Sequence, residues 1–515
     1  MNTPHYLLIA ALCGLVLCSE VFGQAECTGW GGLRGIRIDG ELMKFTSGLL
    51  AARPDWSEIA QTGNELVRNP HYVRDGNKQT TSGSLVFFND PQMLSFTQII
   101  EDTGPGTASV DLQFPPEADM NLAGVYFFIT LPDFAAGKLE TLTNGIRFTS
   151  PGRQIEVMFH SPIDVAVKND RITFAIASGN LKANQKVHAN FTIKITGDID
   201  KTPIKIAIDT SHPGRAFDGI GGNFRLQSPF DPPIIQYNLD NLRVTWGRVA
   251  LPLAQWQPNE EVDPQSAEIN QQVRNSMEIA QTLHQRKIPL IISVWFAPQW
   301  MLEPNPPGTD LPRGAFGKPG RLRGHRFKTE KLDEACKSIG SYLLYLKKNF
   351  GVEPELFSFN ESDLGIDIRQ TPEDHADMIK RLGAYFASQG LTTKMLLGDT
   401  SDAHPTEFID AAMNDPQAVK YISAVSFHCW RGGTDEQFSK WNQAAQKLNI
   451  PLFVAEGGTD ADAHRYPAMF TEPWFSLDEI DLYVRICRLC QPKSIMEWQL
   501  TADYSVLAGG RDNKP

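Results

Sequence analysis

Two glutamates stand where this sequence could do chemistry. Glu361 lies in FSFNES (357–362), directly after a short apolar run and Asn360, and Glu456 closes the run PLFVAE (451–456). Other apolar runs end in the same manner. Arg248 closes LRVTWGR, Trp295 closes PLIISVW with Trp300 just beyond, His428 closes ISAVSFH with Trp430 nearby, and Trp498 closes SIMEW. One acid at the end of one strand is ordinarily a surface residue. A whole series of such ends is rarely supplied by chance.

Two carboxyl groups facing each other across a pocket are what cleavage of a glycosidic bond needs. In the retaining reaction one carboxylate attacks and one carboxylic acid donates a proton, about 5–5.5 Å apart. Asn360, beside the first glutamate, supplies an amide that holds a sugar hydroxyl, a bond that strengthens in the transition state. Arg248 and His428 can hydrogen-bond the other carboxylate and keep it ionised. Trp498 offers a flat face on which a sugar ring stacks. This chemistry calls for no metal and no organic cofactor. Taken singly, each residue has a plainer role: Glu361 as a helix-capping acid, Glu456 as the ion-pair partner of Arg248, the tryptophans as core aromatics. The set favours the chemical reading.

The elements that must position these residues are legible over the second part of the chain. From about Ile204 the texture alternates strand and helix. The expected strands are 217–222, 242–248, 289–295, 356–360, 394–398, 422–428, 451–456 and 494–498. Between them, stretches such as DEQFSKWNQAAQKL repeat apolar residues every three or four positions and predict helices with one buried face. Near-continuous apolar strands alternating with helices imply a parallel sheet covered by helices. Eight of them fit a (β/α)8 barrel, in which working residues sit at the carboxyl ends of the strands. A doubly wound sheet would want a glycine-rich phosphate loop, and FDGIGG does not provide it.

The preceding stretch, 28–202, reads differently. Short β-rich runs such as VYFFITL, RITFAIAS and ANFTIKITG are broken by Gly, Pro and Asn, the pattern of a β-sandwich. It gathers no acids with His or Cys and is read as an accessory domain. Residues 1–23 read as an export signal: Tyr6–Cys18 is apolar but too short to span a bilayer, and Val21-Phe22-Gly23 offers a cleavage site. That address is extracellular or periplasmic, and no other segment is long and apolar enough to cross a membrane. At 515 residues two or three units are expected, the barrel occupying 203–515. A net charge of −12 argues against non-specific nucleic-acid binding. The five cysteines beyond the leader are too few and too scattered for a disulfide scaffold, and Cys487-x-x-Cys490 has no second pair with which to bind zinc.

The motifs FDGIGG, WFAPQWM, FNES, FHCW, VAEGG and MEWQLT together resemble clan A of the glycoside hydrolases, and most of all family 30, over about residues 215–510. The resemblance implies that Asn360 and Glu361 are the amide and the acid/base, and that Glu456 is the nucleophile. It also implies that His428 and Trp498 line the subsite where the bond breaks. The expected partner is then an oligosaccharide, polysaccharide or glycoconjugate. The sequence departs from the family at Ser362, where proline usually follows the Asn-Glu pair. It departs again at Trp430, where an aromatic hydroxyl often supports the nucleophile. Only a short stretch follows Trp498, less than a final barrel helix and the family's carboxyl-terminal β-sandwich require. A carbohydrate-binding protein without turnover, built on the same barrel, is the rival reading.

Among lesser signals, the loop 301–331 carries Lys318, Arg321, Arg323, Arg326 and Lys328, which would favour an anionic sugar if they faced the substrate. DADAH (460–464) lacks the glycine and terminal glutamate of a calcium loop and reads as a polar loop of the cleft.

Overall fold

A computed structural model of the chain describes residues 24–64, 66–88, 90–211, 213–264, 269–310 and 322–504. The expected leader, Lys318 and Arg321 lie outside these residues. The chain divides into two compact units between Ile206 and Ala207.

The first unit is antiparallel throughout. Its main sheets have eight and five strands, and a smaller three-stranded sheet begins at Ala25, just before the boundary expected from sequence. Strand Met93–Gly104 shows why this stretch folds as it does: Leu94, Phe96, Gln98, Ile100 and Asp102 are buried while the residues between them are more open. An alternation of period two gives a strand one buried face. The two large sheets pack face to face through aromatics. Phe127 of the five-stranded sheet lies 4.7 Å from Phe191 of the eight-stranded one, and Phe174 lies 5.2 Å from Phe159. This is the expected sandwich.

The second unit is a closed barrel of eight parallel strands. They are β1 (Gly219–Phe224), β2 (Gly247–Leu251), β3 (Leu290–Val294), β4 (Leu356–Phe359), β5 (Lys394–Thr400), β6 (Ile422–His428), β7 (Leu452–Gly457) and β8 (Ser494–Glu497). Closure is made by β8 on β1, with Ser494 beside Gly219. Around the strands run α1 (Asp231–Asn241), α2 (Gln271–Gln285), α3 (Leu332–Phe350), α4 (Pro372–Ser388), α5 (Asp435–Leu448) and α6 (Pro473–Cys490), with only short helical turns after β5. Residues facing the helices, such as Leu290, Ile292 and Val294 of β3, join the outer core. Those facing inward, Ile291, Leu356, Leu396, Ala424, Phe453 and Met496, fill the barrel's own interior.

Helix ends follow the sequence closely. Thr371 and Thr434 each make a capping box, with Asp374 and Gln437, at the starts of α4 and α5. Gly351 ends α3 in the left-handed conformation that glycine adopts without penalty. No helix follows β8 among the described residues. Ile220 of β1, Tyr237 of α1 and Leu477, Ile480 and Val484 of α6 are exposed.

Three strands are displaced from their expected places, and all three displacements matter to the site. Expected over 217–222, β1 runs from Gly219 to Phe224 and carries Asn223 with it. The run 242–248 was expected to end in Arg248, but β2 starts at Gly247, because Val249-Ala250-Leu251 continues the apolar pattern. Arg248 is thus the second residue of its strand, buried inside the barrel. Expected to stop at Gly398, β5 runs on to Thr400 and carries Asp399 with it.

Candidate active site

Arg248 is the centre of the arrangement. Its side chain has no solvent exposure and spends its donors on five neighbours. Nε donates to Ser293 at 2.8 Å, Nη1 to Asn223 at 2.9 Å and Glu456 at 2.8 Å, and Nη2 to Asp399 at 2.8 Å and Asn360. A planar guanidinium offers five N–H bonds in a fixed fork, so one residue sets the bearings of five others. Its depth in the barrel, which sequence reading misplaced, is what brings β1, β3, β4, β5 and β7 within its reach.

Glu456, on β7, receives Nη1 of Arg248 on Oε1. On Oε2 it receives the indole N–H of Trp430 at 3.1 Å, with His428 Nδ1 at 3.2 Å. Burial raises this carboxyl, with His428 and Arg248 pulling the other way. Three donors on two oxygens are the solvation a carboxylate needs away from water. Trp430 occupies the place where a hydroxyl was expected from the family pattern, and its N–H performs the donation.

Glu361 stands two residues past the end of β4, after Asn360, and is itself in the left-handed region, φ 45°. Its N–H donates to the carbonyl of Asp399 at 2.9 Å, which fastens the end of β4 to the end of β5. Asp399 is also left-handed, at φ 55°. Non-glycine residues hold such angles only where their surroundings over-determine them, and they gather at functional sites. Ser362, the residue standing where proline was expected, is fully buried and donates to Gln370 Oε1 at 2.9 Å, while the Gln370 N–H returns to the Ser362 carbonyl. The same Gln370 oxygen accepts from His375 Nδ1, and His375 Nε2 accepts the Gly398 N–H at 3.2 Å. β4 and β5 pair only through Leu356 and Phe357, so this chain of side chains replaces the ladder where the strands part.

His428 joins the two glutamates. Nδ1 stands 3.1 Å from Glu361 Oε1 as well as 3.2 Å from Glu456, and Nε2 stands 2.9 Å from Asp399 Oδ1. Burial pulls its pKa down, but Glu456, Asp399 and Glu361 outweigh it and push it up to about 10. The three acidic neighbours thus favour the protonated ring. In the reverse sense, burial raises the Asp399 carboxyl, yet Arg248 and His428 hold it well below the usual carboxylate range. Oxygen and nitrogen atoms of Glu361, His428 and Glu456 lie within 4.8 Å of one another, a spacing that a metal ion could span. A protonated imidazole has no lone pair to give, so a metal ion here would have to displace the ring proton.

Asn360 gives its Oδ1 to Arg248, leaving the amide NH2 as its donor toward a ligand. Trp295, Trp430 and Trp498 form one aromatic group, with Trp498 6.2 Å from Trp295 and 6.1 Å from Trp430 between ring centres. Trp300 stands apart: it packs on the outer core and donates to the Gln257 carbonyl. Of the residues singled out from sequence, the structure therefore brings Arg248, Trp295, Asn360, Glu361, His428, Trp430, Glu456 and Trp498 together, and not Trp300.

Sequence reading missed Asp399 and Asn223. Asp399 follows the run KMLLG as directly as Glu456 ends its own, so the signal was present. Asn223, whose amide NH2 donates to the Ala455 carbonyl at 2.8 Å, directly follows the run FDGIGG in the same way. In the loop after β3, Arg326 is paired with Asp374 at 2.6 Å and Lys328 donates to the Trp300 carbonyl, so neither awaits an anionic sugar. In DADAH, Asp460 accepts from the Tyr466 hydroxyl and Asp462 pairs with Arg465. The five described cysteines are free thiols.

No family model matches the chain, and no curated protein does. Solved structures similar to it include a GH30 endoxylanase from Clostridium papyrosolvens C71, at 14% identity and a TM-score of 0.43 over 55% of this chain and 66% of that one. A glycoside hydrolase family 30 subfamily 8 xylanase from Clostridium acetobutylicum is similar at 13% identity and a TM-score of 0.42, over 56% and 66%. A monomeric beta-xylosidase from Caulobacter crescentus CB15 is similar at 14% identity and a TM-score of 0.39, over 56% and 62%. The chain thus spans just under two thirds of the length of these structures.

Proposed function

We propose that this chain is a secreted glycoside hydrolase that cleaves β-linked O-glycosidic bonds with retention of configuration, acting on an oligosaccharide, polysaccharide or glycoconjugate. The observation that carries the reading is the approach of one carboxylate oxygen of Glu361 to one of Glu456, at the ends of facing strands, to within 4.8 Å. Retaining enzymes hold their carboxyl groups about 5–5.5 Å apart, whereas inverting enzymes leave about 6.5–9.5 Å for a water between them. The β preference and the export rest on the motifs and the leader read from sequence.

In this reading Glu456, kept anionic and oriented by Arg248 and Trp430, attacks the anomeric carbon. Glu361 protonates the departing oxygen. The bond to Glu456 is then hydrolysed by a water from which Glu361 takes a proton, returning both groups to their starting states. The Asn360 NH2 meets a ring hydroxyl next to the reacting carbon, and Trp498 supports the ring. His428 Nδ1, between the two glutamates, is placed to donate to whichever of them carries the charge.

The test is Glu456→Ala assayed on activated aryl β-glycosides with and without azide. Turnover is expected to vanish, and azide is expected to restore it with a glycosyl azide of inverted configuration, read by NMR. Wild-type rates in the variant would remove Glu456 from the chemistry. Sugar binding without release by the wild type across a glycoside panel would instead mark a carbohydrate-binding protein.

A further inference from the structure

One buried acid pair takes no part in the chemistry proposed above. Glu479 and Tyr483 stand four positions apart on α6, a spacing that puts both on one helix face. The Tyr483 hydroxyl donates at 2.7 Å to Oε2 of Glu497, the last residue of β8. Glu479 and Glu497 hydrogen-bond each other. Burial raises both carboxyls, and the neighbouring Glu479 raises Glu497 further. Two carboxyl groups in this position share a proton, and a cation set against them lets both ionise.

The pair lines a cavity of about 220 Å³ together with Gln499. Gln499 is 1% exposed, and neither its Oε1 nor its Nε2 has a hydrogen-bond partner among the described residues. A buried carboxamide left unpaired is costly, so its acceptor and donor mark where the polar groups of a ligand belong. The remaining walls are of another kind. Trp430, Phe470, Trp498 and Tyr504 line the same space, and between ring centres Tyr504 lies 6.1 Å from Trp430, 6.3 Å from Trp498 and 5.9 Å from Phe470.

Aromatic rings and carboxyl groups around one cavity are the combination that recognises an organic ammonium. The ring faces attract the cation, and the carboxylates accept its N–H bonds. Oxygen ligands alone would suit a hard metal ion, which gains nothing from the aromatic walls. The Gln499 NH2 needs an acceptor beside the cation, and a hydroxyl next to the amine supplies it. The volume falls below the about 300–1,000 Å³ of sites for larger ligands, so the occupant is small or is one end of a larger molecule.

We infer that this cavity binds a primary ammonium group with a hydroxyl on the adjacent carbon, the ammonium at Glu479 and Glu497 and the hydroxyl at Gln499. A free amino alcohol and an amino sugar both carry that chemistry. The cavity shares Trp430 and Trp498 with the catalytic centre, yet the inference holds whether or not the chain cleaves glycosides.

The test measures binding and not turnover. The full chain is titrated calorimetrically at neutral pH with 2-aminoethanol and D-glucosamine, and with their uncharged counterparts ethane-1,2-diol and D-glucose. At least one amine is expected to bind about tenfold or more tightly than its counterpart, the scale of a desolvated cation between rings and carboxylates. Glu479→Gln and Gln499→Leu are each expected to remove most of that preference, with circular dichroism confirming the fold. The comparison of amine with counterpart needs no variant, so it decides even where a substitution unfolds the chain. Tighter binding of D-glucosamine than of 2-aminoethanol would support the site with a sugar as carrier, and the reverse would support it with a free amine. Equal affinity for amines and counterparts, a preference that survives both substitutions, or binding of calcium without binding of either amine would overturn the inference.

Discussion

Arg248 Nη2 lies 2.8 Å from Asp399 Oδ2, and neither side chain has any exposure to solvent. The pair ties the interior of β2 to the end of β5, and Asp399 also accepts from Ser358 at 2.6 Å and from His428. Every charge in the site is positioned through this carboxylate or through the arginine it holds.

Replacing Asp399 with Asn keeps the shape and removes the charge. It leaves Arg248 and His428 short of a counter-ion in a fully buried site. Removing one partner of a buried pair costs about 3–5 kcal/mol. Urea unfolding of Asp399→Asn should show a loss of that order, together with a loss of turnover. A stability change under about 1 kcal/mol, the size of an exposed pair, would contradict the central place given to Asp399.

His428 is expected to stay charged well above the range of ordinary histidines. Its folded pKa of about 10 stands above the 6.5 of an unperturbed ring. The stabilisation it brings is therefore complete below about pH 6.5 and is lost as pH rises through 10. Denaturant midpoints between pH 6.5 and 10 should fall in the wild type and fall less in His428→Gln. A ring titration near 6.5, followed by NMR, would refute this.

His375 should behave in the opposite sense. Burial lowers its pKa to about 4, against a weak upward pull from Asp399, and its only ring neighbour is Phe408 at 4.8 Å among the described residues. The unfolded chain then takes up a proton between pH 6.5 and 4 that the folded chain refuses. Stability should decline as pH falls through that window, by about 3 kcal/mol in all, and this contribution should level off below it. His375→Gln, which retains an acceptor for the Gly398 N–H, should lose most of that slope. An unchanged slope in the variant would assign it to other groups.

Trp430→Phe removes the N–H that meets Glu456 Oε2 and keeps most of the ring. Hydrogen bonds to charged groups contribute about 1.5–3 kcal/mol. If the bond strengthens as Glu456 is aligned for attack, kcat should fall by about ten- to a hundredfold with KM little changed. A change confined to KM would mean that Trp430 serves the sugar and not the carboxylate.

Much of this was legible before any coordinates. The ranges expected for β6 and α5 match the folded ones, since ISAVSFH and DEQFSKWNQAAQKL carry unbroken patterns with clear ends. β2 was misread because LRVTW and VAL are both apolar and a parallel strand gives no alternation by which to choose between them. The acid at the end of β5 was passed over because KMLLG seemed complete at its glycine. That Gly398 is left-handed, with φ 91°, and its N–H bonds to His375, are facts of the folded chain alone.

Local pattern determined which residues are strand and helix, and the order of strands determined that Glu361 and Glu456 end two of them. Apolar periodicity is written in neighbouring residues, so sequence carries it. The site's electrostatics are not local. Whether Arg248 reaches five partners, whether His428 holds its proton between two glutamates, and whether Trp430 turns its N–H or its face to Glu456 depend on groups far apart in the chain, such as Arg248 and Glu456. Closure of the barrel sets those distances, and a hydrogen bond or a charge pair falls off over an ångström or two.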